Sequence, residues 1–561
     1  MTKEACLSVN AHGQQICPLP VWSRSDKGLC LFHDPKMDKP EEEFLGLLHA
    51  KLQAGDFNFE GYVFTPSVLF RDFVFQEFAN FENCQFLGKE TSFYRARFKK
   101  GVLFNQAVFR GSRVNFSKAQ LSGDFNLFNG VLFESAETIF QETQFGGKHI
   151  GFASARFSGQ RLDFKDAEFL GTVFFTQCHF HSHLTTFEKA KLTGPLLSFT
   201  HAEFKGRELR CHESLWSSHQ ADFSHASFET DLCHFDRAHF QGGKLLFSDV
   251  TFKCRTLSFL QAKVQSRVFL FSHSFVNCHE TDLSELCLAG DTAEISSCTF
   301  QGKSLKLYPV ILECRLTDFS RSEFAGDEKI IYIENPQQND LSFLGVLFHG
   351  GKTKLKGDLH AASFIDTSLD NVDLHEGRWS RVGGRFVCRD EIDANRVKTP
   401  AHYLKAEEVC RNIKRCYEGY GDYEIAADFY YGEMECKRKE SRKKRWGALQ
   451  LMRLTSGYGM SPIRVTLTSL FIIFLFAIFY LFGGIETPHG VLARTLQIDF
   501  TQVLSTLNDF FSCFYFSVSM FLGFGDYRPI GWSRVVGGTE AFFGAFFISM
   551  FVLSIGKKMN W

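Results

Sequence analysis

From residue 81 the apolar positions of the chain fall into pairs: Phe81 and Phe86, Phe93 and Phe98, Phe104 and Phe109, Phe116 and Leu121, Phe128 and Phe133, Phe140 and Phe145. Five residues separate the members of a pair and about seven separate one pair from the next, so the period is about twelve. It runs on to Phe252, with one irregular unit after Phe204. Two residues before the second member of most pairs stands a small residue: Cys84, Ala96, Ala107, Ala119, Thr143, Ala155, Ala167, Ala190, Ala202, Ala226 and Ala238. A small side chain at fixed offset from a large one implies that both point into a narrow interior. A repeat of this length cannot bury its own apolar face and must stack on its neighbours. Residues 24 apart, such as Phe116, Phe140 and Phe164, are expected to stack along one axis in a coil of four faces. Phe140, Phe164 and Phe235 are expected in the interior. Between about 265 and 358 the phase is lost, which predicts a degenerate or insertion-bearing part of the same solenoid. Phe364, Leu369 and Leu374 return to steps of five.

The small-x-Phe/Leu pattern resembles the pentapeptide-repeat family over residues 59–376. The resemblance implies a right-handed quadrilateral β-helix, one pentapeptide per face. Five alternating with seven then places two-residue insertions at alternate corners.

Composition agrees with a repeat that wants one benzyl ring: Phe is 66 of 561 residues against 14 Tyr and 6 Trp. With 62 Lys plus Arg against 63 Asp plus Glu, the net charge of -1 excludes a nucleic-acid protein held by overall charge. A base-stacking surface would interleave its rings with basic residues in a groove, whereas the flanks here are mixed Gln, Ser, Asp, Glu, Lys and Arg. Seventeen cysteines are too sparse for a disulfide-built chain, and residues 1–30 hold no apolar stretch of signal-peptide type, so the solenoid is expected in a reducing cytosol.

Before the repeat, residues 1–58 carry Cys6, Cys17, Cys30 and His33, the last two as C-x-x-H. Three thiolates and an imidazole satisfy a tetrahedral structural Zn site; the other reading is unrelated core cysteines. Residues 41–54 then read as a short capping helix with Phe44, Leu45, Leu48 and Leu52 on one face. Residues 377–462 turn helical. Tyr403, Leu404, Val409, Ile413 and Cys416 line one helix, Gly419 and Gly421 break it, and Tyr423, Ile425, Ala426, Phe429 and Tyr430 line a second. Seven basic residues in nine follow: Lys437, Arg438, Lys439, Arg442, Lys443, Lys444 and Arg445. An apolar span begins about twenty residues later, so the run is read as a juxtamembrane stretch facing anionic lipid, with the solenoid on the cytoplasmic side.

In residues 463–561, positions 465–482 hold no charge in 18 residues, enough for one crossing, and a second apolar stretch covers 541–555, extending back to about Val535 with Glu540 inside it. Between them lies FFSCFYFSVSMFLGFGDYRP, a pore-helix-like segment at 508–519 followed by Gly523-Phe524-Gly525-Asp526. Irregular backbone at membrane depth survives only in protein or beside water. This arrangement resembles the two-helix potassium-channel pore module, and the chain as a whole resembles a pentapeptide-repeat-containing member of the potassium channel family.

The resemblance implies a selectivity filter of Phe521, Leu522, Gly523, Phe524, Gly525 and Asp526. Backbone carbonyls of four subunits would replace an ion's water shell, the Phe524 ring would pack outward against the pore helix, and Asp526 would bond behind the filter. Two threonines that normally precede such a filter are replaced by Met520 and Phe521, and the loop is about two residues short. The expected function is therefore the pore-forming subunit of a homotetrameric cation channel of the plasma (inner) membrane, potassium being the expected ion, with both termini cytoplasmic. Its partners would be membrane lipid, copies of itself and a protein on the solenoid, with no nucleic acid. The alternative is a membrane-anchored scaffold whose pore does not conduct or does not select. Enzymatic chemistry has no footing: the chain lacks a phosphate-cradling loop, a carboxylate pair at a mouth and a nucleophile elbow.

Overall fold

The computed structural model describes residues 5–9, 15, 17–441, 443–487, 490–493, 503–524 and 528–559, excepting the side chains of 443–446, 487, 503–504 and 557–559. The chain divides into two compact units, Met1–Arg378 and Trp379–Trp561.

The first unit is a parallel β-solenoid of about 13 turns. Inward rings of each turn stack on those of the turn before. Phe116 lies on Phe140 and Phe140 on Phe164, each pair with centroids 4.9 Å apart. The Phe109, Phe133 and Phe157 column repeats at 4.9 and 4.8 Å. Phe140, Phe164 and Phe235 are all buried, as expected.

The unequal steps have a local cause. In the five-residue step after Phe164, Asp166 adopts a positive φ of 53°, and the Ala167 N–H donates back to the Phe164 carbonyl (3.0 Å). The turn's own Asp166 N–H donates to the next turn, at Glu188 O (2.9 Å). The seven-residue step is one eight-residue strand, Arg156–Asp163, bent at Gly159. A Cβ at Gly159 would stand 2.0 Å from the Ser135 carbonyl of the preceding turn. The two additional residues therefore make a bend within a strand.

The small positions are buried beside the rings. At several positions where Ala is replaced, the substitute donates to the carbonyl of the inward residue one turn back: Thr143 Oγ1 to Phe116 O (2.7 Å), Cys84 Sγ to Phe59 O (2.9 Å), Ser322 Oγ to Ile295 O (2.7 Å). A buried hydroxyl or thiol is tolerated there because it finds an acceptor.

Two expectations need correction. Between 265 and 358 the solenoid continues with its column intact, Phe252, Val276, Phe300, Phe324 and Phe348 pairing in parallel, and the expected irregularity is confined to a register shift between Leu307 and Val310. Branched aliphatics replace many rings there, so a pattern read on Phe disappears while the packing continues. The irregular unit after Phe204 is likewise in register, Trp216 pairing between Leu192 and Phe240.

The open end is covered by α1 (Glu41–Gln53), whose Phe44 and Leu48 are buried. The Phe44 ring meets Phe64 of the first turn at 5.9 Å.

The second unit contains α2 (Arg389–Val397), α3 (Pro400–Tyr420), α4 (Tyr423–Glu440), α5 (Lys443–Ser456), α6 (Pro462–Gly483), α7 (Val503–Leu522) and α8 (Ser533–Met559). Thr399 caps α3 with Pro400 at its first position, and Gly421, at φ 79°, ends it. Gly419 stays helical. The buried face of α3 runs through Tyr403, Ala406, Val409, Cys410, Ile413 and Tyr417. Leu404 is exposed and Cys416 half-buried, so the expected face was rotated at those positions. Helix α2 was not anticipated, its nine residues carrying little apolar periodicity.

Among the described residues two helices are long and apolar enough to cross a membrane, α6 and Ser533–Gly556 of α8. Their large outer side chains, among them Ile463, Phe471, Phe542, Val552 and Leu553, are exposed.

Candidate functional site

Helix α7 packs against both α6 and α8, which also touch one another. Near the end of α6, Tyr480, Leu481 and Ile485 enclose Cys513 and Phe516 of α7. Further along α7, Ser517 Oγ donates to the Ile473 carbonyl at the middle of α6 (2.9 Å). Phe521, in its last turn, shares a cluster with Val465, Ile473 and Phe547. Helix α7 thus runs antiparallel to α6 and stops part-way along it. The chain then comes back. Arg528–Pro529 pairs antiparallel with Ile485–Thr487, the strand that directly follows α6. The segment from α7 to Pro529 therefore enters and leaves beside the same end of α6.

The end of α7 is a two-bond cap. The Gly523 N–H donates to Met520 O (3.2 Å) and the Phe524 N–H to Ser519 O (2.8 Å), with Gly523 at φ 81°. This is the Schellman arrangement, in which the left-handed residue is favoured as glycine.

Phe521 and Leu522, expected to begin the filter, are helical here, and Phe521 is buried by the flanking helices. Three consecutive apolar residues, Met520 to Leu522, continue the helix because each finds helical packing or an outer face, where two threonines would favour leaving it. The Phe524 ring is 74% exposed and does not pack on α7 of its own chain. Gly525 and Asp526 lie outside the described residues. Helix α7 is also longer than the expected 508–519 segment.

Glu540 of α8 is buried behind α7. Tyr480 Oη of α6 donates to its Oε2 (2.6 Å), and Ser517 Oγ of α7 meets its Oε1. One carboxyl group thereby joins all three helices, a role its position inside an apolar stretch did not disclose.

The basic run divides. Arg438, expected at the lipid surface, is buried and paired with Glu435 (2.9 Å). Lys439 bonds Asn395 and lies over the Tyr403 ring. Glu435 also takes the Tyr458 hydroxyl (2.8 Å) and Arg453 (3.1 Å), so Arg438 serves the elbow between α4 and α5. Lys437 is half-buried. Lys443, Lys444 and Arg445 begin α5, with side chains outside the described residues, as is Arg442 altogether.

At the far end of the chain, Cys6, Cys17, Cys30 and His33 converge, all buried, their ligand atoms within 4.8 Å of one another. Cys17 and Cys30 sulfurs are 3.7 Å apart, and His33 Nδ1 is 3.2 Å from Cys30 Sγ and 3.6 Å from Cys6 Sγ. His33 Nε2 is 2.9 Å from the Glu60 carbonyl, which can only accept, so Nε2 carries the proton and the Nδ1 lone pair faces the sulfurs. The hydrogen bond from Cys30, with His33 behind it, pulls the Cys17 thiol far below its ordinary value. The same bond, with burial, pushes Cys30 up, so the pair shares one proton. Cysteines also adjoin elsewhere, Cys254 beside Cys233 and Cys278 in the solenoid and Cys388 beside Cys410 in the helical core, but among the described residues only the N-terminal group brings three thiols to one imidazole.

Sequence reading missed two further groups on the solenoid: His179, His181 and Glu203, and His212, His234 and Asp236. The signal was the repeat itself, since His212 and Asp236 are 24 residues apart. Lys205 already occupies Glu203 (3.1 Å), and Asp236 is held by Ser258.

No family model, curated protein or solved structure matches the chain.

Proposed function

We propose that the chain is the pore-forming subunit of a cation channel, four copies enclosing one ion path, with a cytoplasmic solenoid for regulation or partner binding. The observation that carries this reading is the course of 503–529: a helix packed against two membrane-length helices, stopped at Gly523, with the chain returned to the side from which it came. A segment that enters and leaves on one side offers its turning point to an axis, and Gly523 and Phe524 open that turn. Backbone carbonyls there would supply one quarter of each oxygen ring, which makes a homotetramer obligatory. The C-terminal end of α7 aims its negative dipole end into the assembly, favouring a cation. The ion we assign is potassium. The solenoid is assigned as a right-handed, four-sided β-helix, and the remaining cations of residues 437–445 hold it on the anionic inner leaflet of the plasma membrane, both termini cytoplasmic.

The second reading, a membrane-anchored scaffold with a silent pore, is favoured by one feature: α7 stays helical through Leu522, leaving a short turn to act as filter.

Purified full-length chain reconstituted in bilayers separates the two. A channel gives cation current with a reversal potential set by the potassium gradient and a tetrameric mass in detergent. A silent bilayer with a monomer or dimer leaves the scaffold.

A further inference from the structure

The N-terminal quartet is a site that the pore does not use, and its geometry is that of a metal centre. Four ligand atoms around Zn²⁺, with Zn–S near 2.3 Å and Zn–N near 2.0–2.1 Å, stand at tetrahedral edges of about 3.8 Å between sulfurs and about 3.5 Å between sulfur and nitrogen. The Cys17–Cys30 separation of 3.7 Å and the Cys6–His33 separation of 3.6 Å match those edges. A disulfide would need sulfurs about 2.05 Å apart. A plain buried core gives cysteines no reason to converge on an imidazole lone pair.

The surrounding structure is arranged as zinc sites require. His33 is fixed in ring orientation and tautomer by its bond to Glu60 O. The Cys30 N–H points at Cys6 Sγ (3.1 Å), a donor that suits a thiolate. The C-x-x-H turn is closed by His33 N–H and Asp34 N–H to Cys30 O (3.1 and 3.0 Å), which presents two ligands from one corner. Lys39 is buried beside the same loop, its Nζ donating to Val63 O (2.7 Å) and Phe32 O (3.3 Å). All four positions are filled by protein, so the site is closed and structural.

We propose that Cys6, Cys17, Cys30 and His33 bind one Zn²⁺ that clasps the N-terminal segment over the first turn of the solenoid. Cys6 and Cys17 come from the segment before the helix. Cys30 and His33 come from the loop that meets the first turn, where the Val63 N–H donates to Phe32 O (2.7 Å) and Phe32 stacks on Tyr62 at 4.6 Å. The metal therefore ties a stretch with few apolar residues to the end of a stack of rings that would otherwise be left open. Short segments of this kind commonly need such a tie.

The test uses the full chain, purified without added metal or chelator. Elemental analysis is expected to find one Zn per chain, falling at least tenfold in Cys30→Ser and in His33→Ala, while Cys84→Ser keeps its metal because Cys84 serves only the Phe59 carbonyl. Since a ligand variant can fail to fold, the unaltered chain, stripped by chelator and titrated with Co²⁺, provides a second readout. Tetrahedral thiolate coordination is expected to produce intense visible d–d absorption saturating at one Co²⁺ per chain, and protease is expected to cut before α1 sooner in the stripped chain. Zn below one tenth per chain together with no such Co²⁺ spectrum would overturn the proposal. So would a Cys17–Cys30 disulfide found by mass in metal-free, folded protein. Neither result depends on ion conduction, so failure here leaves the channel reading untouched.

Discussion

Gly544 of α8 faces the carbonyl of Phe521 in α7 so closely that a Cβ at position 544 would stand 2.1 Å from that oxygen. Nothing in the periodicity of α8 marks this glycine out from its neighbours, yet it sets how closely α8 approaches the last turn of α7. Small residues at membrane helix crossings permit this approach.

Gly544→Ala is expected to force the two helices apart and to abolish current or tetramer formation. Gly538→Ala, on the same helix with open space around its Cβ, is expected to change neither. Conductance and detergent mass of both variants check this, and equal behaviour would refute the crossing.

Phe521→Thr carries a specific expectation. A threonine there would place a hydroxyl near the proposed filter, but it also removes a ring buried among Val465, Ile473 and Phe547. We expect Met520→Thr, Phe521→Thr to lower the yield of tetramer in detergent, while Met520→Thr alone is tolerated. An intact tetramer in the double variant would show that α7 does not depend on this ring.

Phe164→Ala should cost about 3 to 5 kcal/mol of solenoid stability, as large core truncations do. Phe125→Ala, where the ring is half exposed, should cost far less. Urea unfolding followed by circular dichroism measures both.

At the small positions, Ala167→Ser is expected to be nearly neutral, because residues at equivalent places already send a hydroxyl or thiol to a carbonyl one turn back. Ala167→Leu should cost about 1 to 3 kcal/mol through overpacking. The urea midpoints of the two variants decide it.

Glu435 gives a pH prediction. Burial alone would raise its pKa, but Arg438 and then Tyr458 outweigh it and hold the carboxyl below the ordinary glutamate value. The folded chain then binds fewer protons than the unfolded chain near that value, so the stabilisation is complete above it and lost as pH falls through the folded pKa. Glu435→Gln is expected to lower the melting temperature of the helical unit at neutral pH. The gap from the unaltered chain should close below about pH 4.5. A gap independent of pH would assign the effect to packing alone.

The sequence by itself determined the solenoid, its 24-residue stacking, the small positions, the capping helix and the two apolar spans, because each depends on a period or a run that local order in the chain displays. It also named the four zinc-type ligands, though spacing alone left them indistinguishable from core cysteines. Tertiary structure decided what local order cannot carry. Val276 and Phe300 occupy the same column as Phe252, since a column asks only for apolar volume and register, and register is set by the turn beneath. Arg438 left the basic run because Glu435 stands one helical turn away with Tyr458 brought to it across the elbow. Helix α7 passed through Phe521 because α6 and α8 close around that ring, and it ended at Gly523, whose left-handed φ of 81° closes the helix before Arg528–Pro529 pairs beside Ile485.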